Sequence, residues 1–338
     1  MVVWHHSLGE IVGVRELIPL PEFGPSGVDL FFVISGFIML VTTTKKPLSP
    51  LKFLELRVVR VVPLYWLMTL LMVGCAALIP YEFKTLQVSV PAVVKSLLFI
   101  PYDSLSFPGY PWPLLVPGWS LNYEMFFYLV FALALFIPMR WRVVSLLATL
   151  VCLVLAGLII GPSPAESPIL WVYTSPALLE FAGGIIVGHL WLRQALRVPL
   201  GVSIAAIAVG CFLLFMRDGL PFMSYTLPVG AFLTVAGCLH PKIGALNSRL
   251  LLKLGDASYS IYLTHIFSLG VLRVVWTHFD RSPPSLASAA AFMAVALLTG
   301  ALPGFVVYKV IEKPLTNRLR LAIDTKNFQG VASVPSTG

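Results

Sequence analysis

Charged residues are scarce in this sequence, and no long polar stretch interrupts it. Asp, Glu, Lys and Arg together make up 11% of the 338 residues, whereas a soluble domain carries about 25%. This scarcity argues against a soluble globular protein. It also leaves no segment polar enough to form a separate soluble domain.

Cysteine is scarce as well, and its placement argues against the usual cysteine-based sites. The four cysteines match neither a disulfide framework nor the ligand spacing of a zinc site. We therefore expect no metal centre and interpret them as small buried hydrophobic residues within apolar runs. They are Cys75, Cys152, Cys211 and Cys238.

Long apolar runs take the place of the missing polar segments. Hydrophobic residues make up 58% of the chain, and runs of about 20 of them are typical of membrane-spanning helices. The sequence predicts an all-α, polytopic membrane helix bundle of about ten helices, with the first truncated to a stub at 1–8. The other predicted spans are 27–43, 58–80, 118–138, 143–161, 169–190, 198–216, 223–240, 254–277 and 286–309.

The distribution of Lys and Arg predicts the orientation of this bundle. The loops of one side carry seventeen of these residues and the alternate loops carry five. The positive-inside rule places the first set, and with it the C-terminus, in the cytoplasm. Because the net charge of +8 follows this topology, it indicates a protein of the bacterial inner membrane in contact with the lipid bilayer. It does not indicate a nucleic-acid partner.

The same rule places the loop 9–26 outside, which requires a complete helix before it. Eight residues of helix extend about 12 Å, against roughly 30 Å of hydrocarbon. We therefore expect the sequence to lack the beginning of its first helix. We predict one membrane domain over 1–323, followed by a disordered cytoplasmic tail at 324–338.

Ionisable residues within the spans are candidate functional residues, because a charge inside the bilayer is costly. Asp29 is open to two interpretations. It completes a capping box with Ser26, where the helix dipole favours an anion, or it serves a reaction. The set is His5, His6, Asp29, Glu124, Glu180, His189, Asp256, His265 and Arg273.

The segment around Glu124 is too polar for a lipid-facing turn. Ser120, Asn122 and Tyr123 precede the carboxylate, and this combination favours the lining of a cavity. Glu180 lies deep in its span, and the small residues after it predict close helix packing.

The predicted span 254–277 begins with a further polar motif, "LGDASYSIYLTH". We interpret Asp256 as a helix N-cap. His265 lies about 11 residues into its span, close to mid-membrane. It either bonds a neighbouring helix or lines a pathway, and we favour the pathway.

Arg57 and Arg60 lie one helical turn apart on one face at the start of a span. Such a pair is most often a cytoplasmic anchor of the positive-inside kind. The functional alternative is a phosphate clamp, because guanidinium groups bind phosphate in a bidentate manner.

Taken together and in order, several segments resemble the acyltransferase-3 family of integral membrane proteins, in particular its exopolysaccharide-modifying branch. The resemblance implies transfer of an acyl group, often acetyl, from cytoplasmic acyl-CoA to a hydroxyl of an exopolysaccharide or lipid-linked saccharide. Acyl-CoA would be a co-substrate, and no bound cofactor is expected. The segments are "GVDLFFVISGFIM", "RVVRVVPLYW", "PGWSLNYEMFFYLVFA", "LLEFAGGIIVG", "LGDASYSIYLTH" and "VIEKPL".

The resemblance also assigns roles to particular residues. It places His6 in the position of the family's catalytic histidine. In the family a basic residue lies eleven positions before this histidine, a position that would precede Met1 here. It places the family's Arg-x-x-Arg on Arg57 and Arg60, as donor-binding residues. Tyr259 and His265, in the "LGDASYSIYLTH" segment, become candidates for substrate binding.

The predicted arrangement separates cationic groups at one face from a histidine and carboxylates toward the other. An imidazole, with an unperturbed pKa of about 6.5, can accept the proton of a sugar hydroxyl as that hydroxyl attacks a thioester. Alternatively, His6 is acylated first and passes the group on. Asp29 and Glu124 are the candidate catalytic carboxylates. Ser120, Asn122 and Tyr123 are candidates to position the acceptor or to stabilise the oxyanion.

A transporter or flippase for a polysaccharide or lipid is the alternative function. Its translocation path would be lined by the same polar residues, so composition alone does not separate the two. The ordered set of motifs favours the enzyme.

Overall fold

Helices form the whole of the regular structure in the part of the chain that the computed structural model describes, which is residues 1–11, 14–17, 24–83, 85–216, 227–245, 248–280 and 285–332. The prediction of an all-α, polytopic membrane bundle is confirmed. The helices are α1 (Val2–Leu8), α2 (Val14–Leu17), α3 (Ser26–Lys45), α4 (Pro50–Leu78), α5 (Val90–Leu97), α6 (Trp119–Ala134), α7 (Met139–Ile160), α8 (Pro168–Tyr173), α9 (Leu178–Leu192), α10 (Leu200–Phe215), α11 (Leu227–Cys238), α12 (Pro241–Gly244), α13 (Arg249–Asp256), α14 (Ser258–Phe279), α15 (Leu286–Val307) and α16 (Lys313–Ala332).

Two short non-α turns complete the helical structure. A 3-10 turn at Val116–Gly118 leads into α6, and a π-helical turn at Tyr308–Glu312 joins α15 to α16. Helical structure therefore runs without a break from α15 through α16, with one π-helical turn between them.

Six helical segments within the described ranges are long and apolar enough to cross a membrane by length and composition. Each of the six overlaps a predicted span. Two shorter apolar helices, Leu200–Phe215 and Val229–Cys238, fall on two more predicted spans. The six segments are Ser26–Lys45, Pro50–Leu78, Met139–Ile160, Pro168–Leu192, Ser258–Phe279 and Leu286–Ile323.

Aromatic side chains form the core between α3, α4, α6 and α9. Phe181 on α9 stacks on Phe32 of α3 and on Phe127 of α6, with ring centroids 4.5 Å and 4.3 Å apart. Phe53 on α4 stacks on Phe131 of α6 at 5.2 Å. All five rings are buried. Such stacks add to the area that the rings bury, and they fix the helices that surround the candidate site.

Small residues bring α3 and α9 into backbone contact, as the sequence after Glu180 predicts. Gly36 on α3 faces Phe181 and Gly184 on α9, and Gly184 faces the backbone of Val33. A Cβ atom on Gly184 would overlap the Val33 carbonyl oxygen, which is part of the helix backbone and cannot move aside. This is the close approach that small residues allow in membrane helices.

Adjacent glycines on α9 should respond very differently to alanine. We expect Gly184→Ala to lower the free energy of unfolding by about 1–3 kcal/mol, because the added methyl group overpacks the α3–α9 contact. Gly183→Ala is the matched control, since its Cβ would meet nothing closer than Phe232 at 3.8 Å. Thermal unfolding of the detergent-purified variants measures both. Equal stability of the two variants would contradict the packing described here.

Helix α1 packs on α14 and α15. Val3 of α1 fits against Gly300 of α15, where a side chain at position 300 would collide with it. Leu8 joins a small buried cluster with Leu269 of α14 and Phe292 of α15. These contacts fix α1 on α14 and α15.

Two predicted caps are wrong. Pro25 occupies the N-cap of α3 without a capping hydrogen bond, and the Ser26 hydroxyl instead donates to the Leu214 carbonyl of α10 at 3.0 Å. Asp29 does lie in the first turn of α3, as predicted. Asp256 is the last residue of α13 and not a cap, since Ala257 takes the N-cap of α14.

The cysteines correct another prediction. All four are free, but Cys152, Cys211 and Cys238 are exposed and Cys75 is half-buried. In a membrane protein the lipid-facing surface is as apolar as the core, so an apolar run does not distinguish the two. At the other end of the chain, α16 continues to Ala332 and so covers 324–332 of the predicted disordered tail.

Some predictions fall on residues outside the described ranges. They concern the final part of the tail, 333–338, and the start of the predicted span 223–240. They also concern three of the five basic residues assigned to the outer loops, namely Lys84, Arg217 and Arg281.

Candidate functional site

A cavity of about 390 Å³ lies between α3, α4, α6 and α14. Much of its wall is apolar and comes from α3, including Phe31, Ile34 and Ile38. Its polar wall gathers residues that lie far apart in the sequence. They are Ser35, Arg57, Arg60, Ser120, Glu124, Tyr128, Ser258, Tyr259 and Tyr262.

Both arginines of α4 line one end of this cavity, as their spacing predicts. The Arg57 guanidinium lies over the rings of Phe53 and Tyr128, at 5.5 Å and 5.9 Å from their centroids. Its Nε is buried and has no hydrogen-bond partner among the described residues. Arg57 is therefore held by aromatic faces that leave it donors for an anion.

Arg60 is held in a different way, by an ion pair with Glu312. Glu312 is 2% exposed and lies at the end of the π-helical turn. Its other carboxylate oxygen accepts a hydrogen bond from the Ser260 hydroxyl of α14. The Arg60 guanidinium also lies 5.7 Å from the ring centroid of Tyr259. This network joins α4, α14 and the π turn at one end of the cavity.

Glu312 is a residue that the sequence analysis missed. It belongs to the "VIEKPL" segment, but it lies beyond residue 309, where the last predicted span ends, and so was not counted among the intramembrane ionisable residues. The helix in fact continues through the π turn. π turns are frequent at functional sites, but no pattern of apolar residues signals one.

Glu124 faces the arginine end of the cavity. The carboxylate is 4% exposed. Its Oε1 accepts hydrogen bonds from the Tyr128 hydroxyl and from the Ser35 hydroxyl, the second at 3.4 Å. Tyr128 and Ser35 were also missed, because neither stands out in an apolar helix. The structure therefore places Glu124 with Arg57 and Arg60 in one cavity.

His6 lies beside His265, with the ring centroids 5.1 Å apart. His265 is fully buried. Its Nδ1 lies 3.2 Å from the Ile261 carbonyl oxygen, and its Nε2 has no partner within the described ranges. The two histidines therefore form a pair where α1 crosses α14.

Tyr262 connects this histidine pair to the cavity. Its ring centroid is 6.1 Å from that of His265. Its hydroxyl lines the cavity, donates to the Pro117 carbonyl at 2.7 Å and lies 2.9 Å from Ser120 Oγ. Ser120 and Tyr262 therefore belong to the part of the cavity wall that is next to the histidine pair.

The two histidines of α1 diverge. His5 lies against Gly24, just before α3, where a side chain on that glycine would collide with it. His6 turns toward α14 instead. This divergence is expected of adjacent helical residues, which point about 100° apart.

Five predicted site residues are absent from the lining of this cavity within the described ranges: the pair His6 and His265, and Asp29, Asn122 and Tyr123. Tyr123 packs its ring on Phe32 and Trp119, with centroids 5.7 Å and 5.9 Å away. Asn122 is buried, and its Oδ1 has no partner among the described residues. Asp29 is 4% exposed in the first turn of α3. The structure therefore brings together His6 with His265, and Arg57, Arg60, Ser120, Glu124 and Tyr259.

Comparison with known proteins gives a consistent result along almost the whole chain. The family model described as "Acyltransferase domain" matches residues 1–303. The "Exopolysaccharide production protein ExoZ" of Rhizobium meliloti (strain 1021) is 39% identical over 315 residues, which are 92% of this chain and 95% of that protein. The "Acyltransferase MdmB" of Streptomyces mycarofaciens is 25% identical over 337 residues, covering 88% of this chain and 82% of that protein. No solved structure matches significantly.

Proposed function

The chain belongs to the membrane acyltransferase family whose domain matches residues 1–303, and from that premise we propose the reaction that it catalyses. The donor is an acyl-CoA, with acetyl as the group transferred, and the acceptor is a hydroxyl of an exopolysaccharide or of its lipid-linked saccharide precursor. The observation that carries the proposal is the cavity itself. It has two arginines at one end, and Ser120 and Tyr262 connect it to a pair of histidines.

The proposed orientation places the arginine end toward the cytoplasm. Arg57 and Arg60 lie in the first half of α4, and the Lys- and Arg-rich loops lie at the same end of the predicted topology. In a bacterial inner membrane the donor would then enter from the cytoplasm, where acyl-CoA is made, and the C-terminus would also be cytoplasmic. The acceptor would approach from the opposite side.

The arginine end suits the phosphates of coenzyme A. Phosphate oxygens accept paired hydrogen bonds from guanidinium groups. Arg57 has an unused buried donor, so it is the primary ligand in this proposal, and Arg60 is a second cation held by Glu312. The apolar α3 wall then accommodates the uncharged arm that carries the thioester.

The histidine end provides the base. A nitrogen of the His6 imidazole accepts the proton of the acceptor hydroxyl while that oxygen attacks the thioester carbonyl carbon. The carbon–sulfur bond then breaks, and the protonated His6 gives this proton to the departing coenzyme A thiolate. The Ser120 hydroxyl is the oxyanion donor in this proposal, since it can rotate away from the Tyr262 oxygen, whereas the Tyr262 hydroxyl donates to the Pro117 carbonyl. If His6 is acylated first, its nitrogen attacks the thioester and coenzyme A leaves as the thiolate. The acceptor hydroxyl then takes the acyl group from His6, and its proton passes through the freed imidazole to the thiolate.

Acyl transfer by the purified protein tests the proposal. Protein in detergent is incubated with acetyl-CoA and an oligosaccharide fragment of the host's exopolysaccharide. Mass spectrometry should show one added acetyl group on the saccharide and release of free coenzyme A. A protein that moves saccharide or lipid across proteoliposomes and acylates neither would be a transporter, which would contradict the proposal.

Arginine substitutions test the donor end. Arg57→Gln should weaken acetyl-CoA binding by about 10- to 100-fold, because a lost hydrogen bond to a charged group costs about 1.5–3 kcal/mol. Affinity for the saccharide should change much less. Arg60→Gln should also weaken donor binding. Because this substitution would leave the buried Glu312 carboxylate without its ion-pair partner, its effect is measured in a protein that also carries Glu312→Gln. Isothermal titration with acetyl-CoA measures both, and unchanged donor affinity in every variant would leave the arginines as membrane anchors.

A further inference from the structure

A second cavity, of about 560 Å³, lies at the end of the bundle opposite Arg57 and Arg60. One wall comes from the segment between α4 and α6, and the other from the connection between α7 and α8. Its polar lining residues carry both signs of charge. They are Ser89, Lys95, Tyr102, Asp103, Glu166 and Ser167. We call this the outer cavity, since the proposed orientation places it on the outer face.

Hydrogen bonds fix the wall between α4 and α6. The Tyr102 hydroxyl lies 3.0 Å from Ser96 Oγ, which also accepts the Leu114 amide at 3.1 Å. Asp103 Oδ1 accepts the Gly109 amide at 2.7 Å. This cavity is therefore bordered by an ordered loop whose polar groups are already positioned.

Aromatic rings stand on the same loop, next to these polar groups. Trp112 packs on Tyr110 and on Phe107, with ring centroids 4.4 Å and 5.3 Å apart. The Ser104 amide donates to the Tyr110 carbonyl at 3.0 Å, which connects the rings to the cavity wall. Tyr110 is 53% exposed. The loop thus carries both an exposed aromatic ring and Asp103, which lines the outer cavity.

The chain leads directly from the outer cavity to the first one. Leu114, whose amide closes the Ser96 network, is followed by buried Leu115 and by the 3-10 turn Val116–Gly118. Ser120, two residues beyond that turn, lines the first cavity. Tyr262 is bonded to the same turn through the Pro117 carbonyl. Six positions along the chain therefore take Leu114, which is bonded to the Ser96–Tyr102 network of the outer cavity, to Ser120 in the wall of the first cavity.

We propose that the outer cavity binds the saccharide acceptor, holding the sugar residues next to the one that is acylated. The proposal rests on the proposed acyl transfer and specifies where its acceptor lies. Sugar hydroxyls donate to the carboxylates of Asp103 and Glu166, and the apolar face of a sugar ring packs on Tyr110. With one lysine against two carboxylates, the polar lining is net negative at neutral pH, which disfavours a second acyl-CoA or a phosphate group here.

Acceptor length is the measurement that tests this site. Wild type and the variants Asp103→Asn, Glu166→Gln and Tyr110→Ala are assayed with acetyl-CoA and either a monosaccharide or an oligosaccharide of the same sugars. Each variant should raise KM for the oligosaccharide about tenfold, as expected for a lost hydrogen bond to a charged group or a lost ring contact. KM for the monosaccharide, KM for acetyl-CoA and kcat should stay at the wild-type values. Asp103→Asn keeps an oxygen for the Gly109 amide, and Glu82→Gln, an exposed carboxylate of the same segment, is the matched control.

The assay distinguishes failure of the proposed function from failure of the proposed acceptor site. If wild-type protein transfers no acyl group to any saccharide, the proposed function fails. If wild type is active and Glu166→Gln and Tyr110→Ala keep the wild-type KM for the oligosaccharide, the acceptor site is overturned and the rings are an interfacial anchor only.

The same oligosaccharide is also offered attached to a polyprenyl diphosphate. A KM that rises for both forms supports recognition of the saccharide, whereas a rise for the lipid-linked form alone would overturn it.

Discussion

His6→Ala should slow acyl transfer by about 10²- to 10⁴-fold, the usual contribution of a general base, whereas His5→Ala should stay close to the wild-type rate. The reason is the divergence of the two side chains. His6 turns toward His265, with ring centroids 5.1 Å apart, and that pair borders the Tyr262–Ser120 hydroxyl groups of the cavity. His5 packs instead against Gly24, just before α3.

The His5→Ala and His6→Ala variants control for each other, because both substitutions lie on the same short helix and both remove an imidazole. The rate of acetyl transfer is measured at saturating acetyl-CoA and saccharide, with the amount of folded protein in the membrane determined in parallel. A normally folded His6→Ala protein with the wild-type rate would remove the histidine from the chemistry. A His5→Ala protein as slow as His6→Ala would show that the assignment to one histidine is wrong.

The same variants separate the two chemical routes. Incubation with acetyl-CoA and no acceptor, followed by rapid acid quenching and peptide mass spectrometry, detects an acetyl group on His6 if the enzyme is acylated first. Direct transfer predicts no such adduct. In both cases the His6→Ala protein lacks the modification and serves as the blank.

Local sequence patterns predict the helices and part of the site. The apolar runs give the spans because a bilayer requires about 20 apolar residues in a row. The spacing of Arg57 and Arg60 gives their shared face because three residues make nearly one helical turn. The small residues after Glu180 give the α3–α9 contact, since only small side chains allow that approach.

Long-range pairing is what local patterns leave out. Glu312 pairs with Arg60 across 252 positions, and nothing in the "VIEKPL" segment indicates which of two arginines it meets. The sequence pattern also does not indicate whether a cysteine faces lipid or protein, because both surroundings are apolar. Ser26 has the sequence of a cap, but in the fold its hydroxyl meets the Leu214 carbonyl of α10. These details depend on tertiary packing.

Glu312 also leads to the second large expected effect, which is on stability. Arg60→Gln should lower the free energy of unfolding by about 3 kcal/mol, because it leaves a buried carboxylate without its countercharge. The Glu312 side chain is 1% exposed, and after the substitution its carboxylate keeps the Ser260 hydroxyl but faces a neutral amide in place of the guanidinium, as far as the described residues show. Glu312→Gln should cost clearly less, since the Arg60 side chain is 33% exposed and its charge can be solvated through the cavity.

The double variant decides whether this interpretation is correct. In Arg60→Gln/Glu312→Gln no charge is left unpaired, and two amides can hydrogen-bond to each other. Its stability should therefore return to within about 1 kcal/mol of wild type, far from the sum of the single effects. Thermal unfolding of the four proteins in detergent measures the cycle. Additive losses would mean that the two side chains do not act as a pair. If stability is restored, the acetyl-CoA affinities of the double variant and of Glu312→Gln alone can be compared directly. Any lower affinity of the double variant is then the contribution of Arg60 to donor binding, separated from its contribution to the fold.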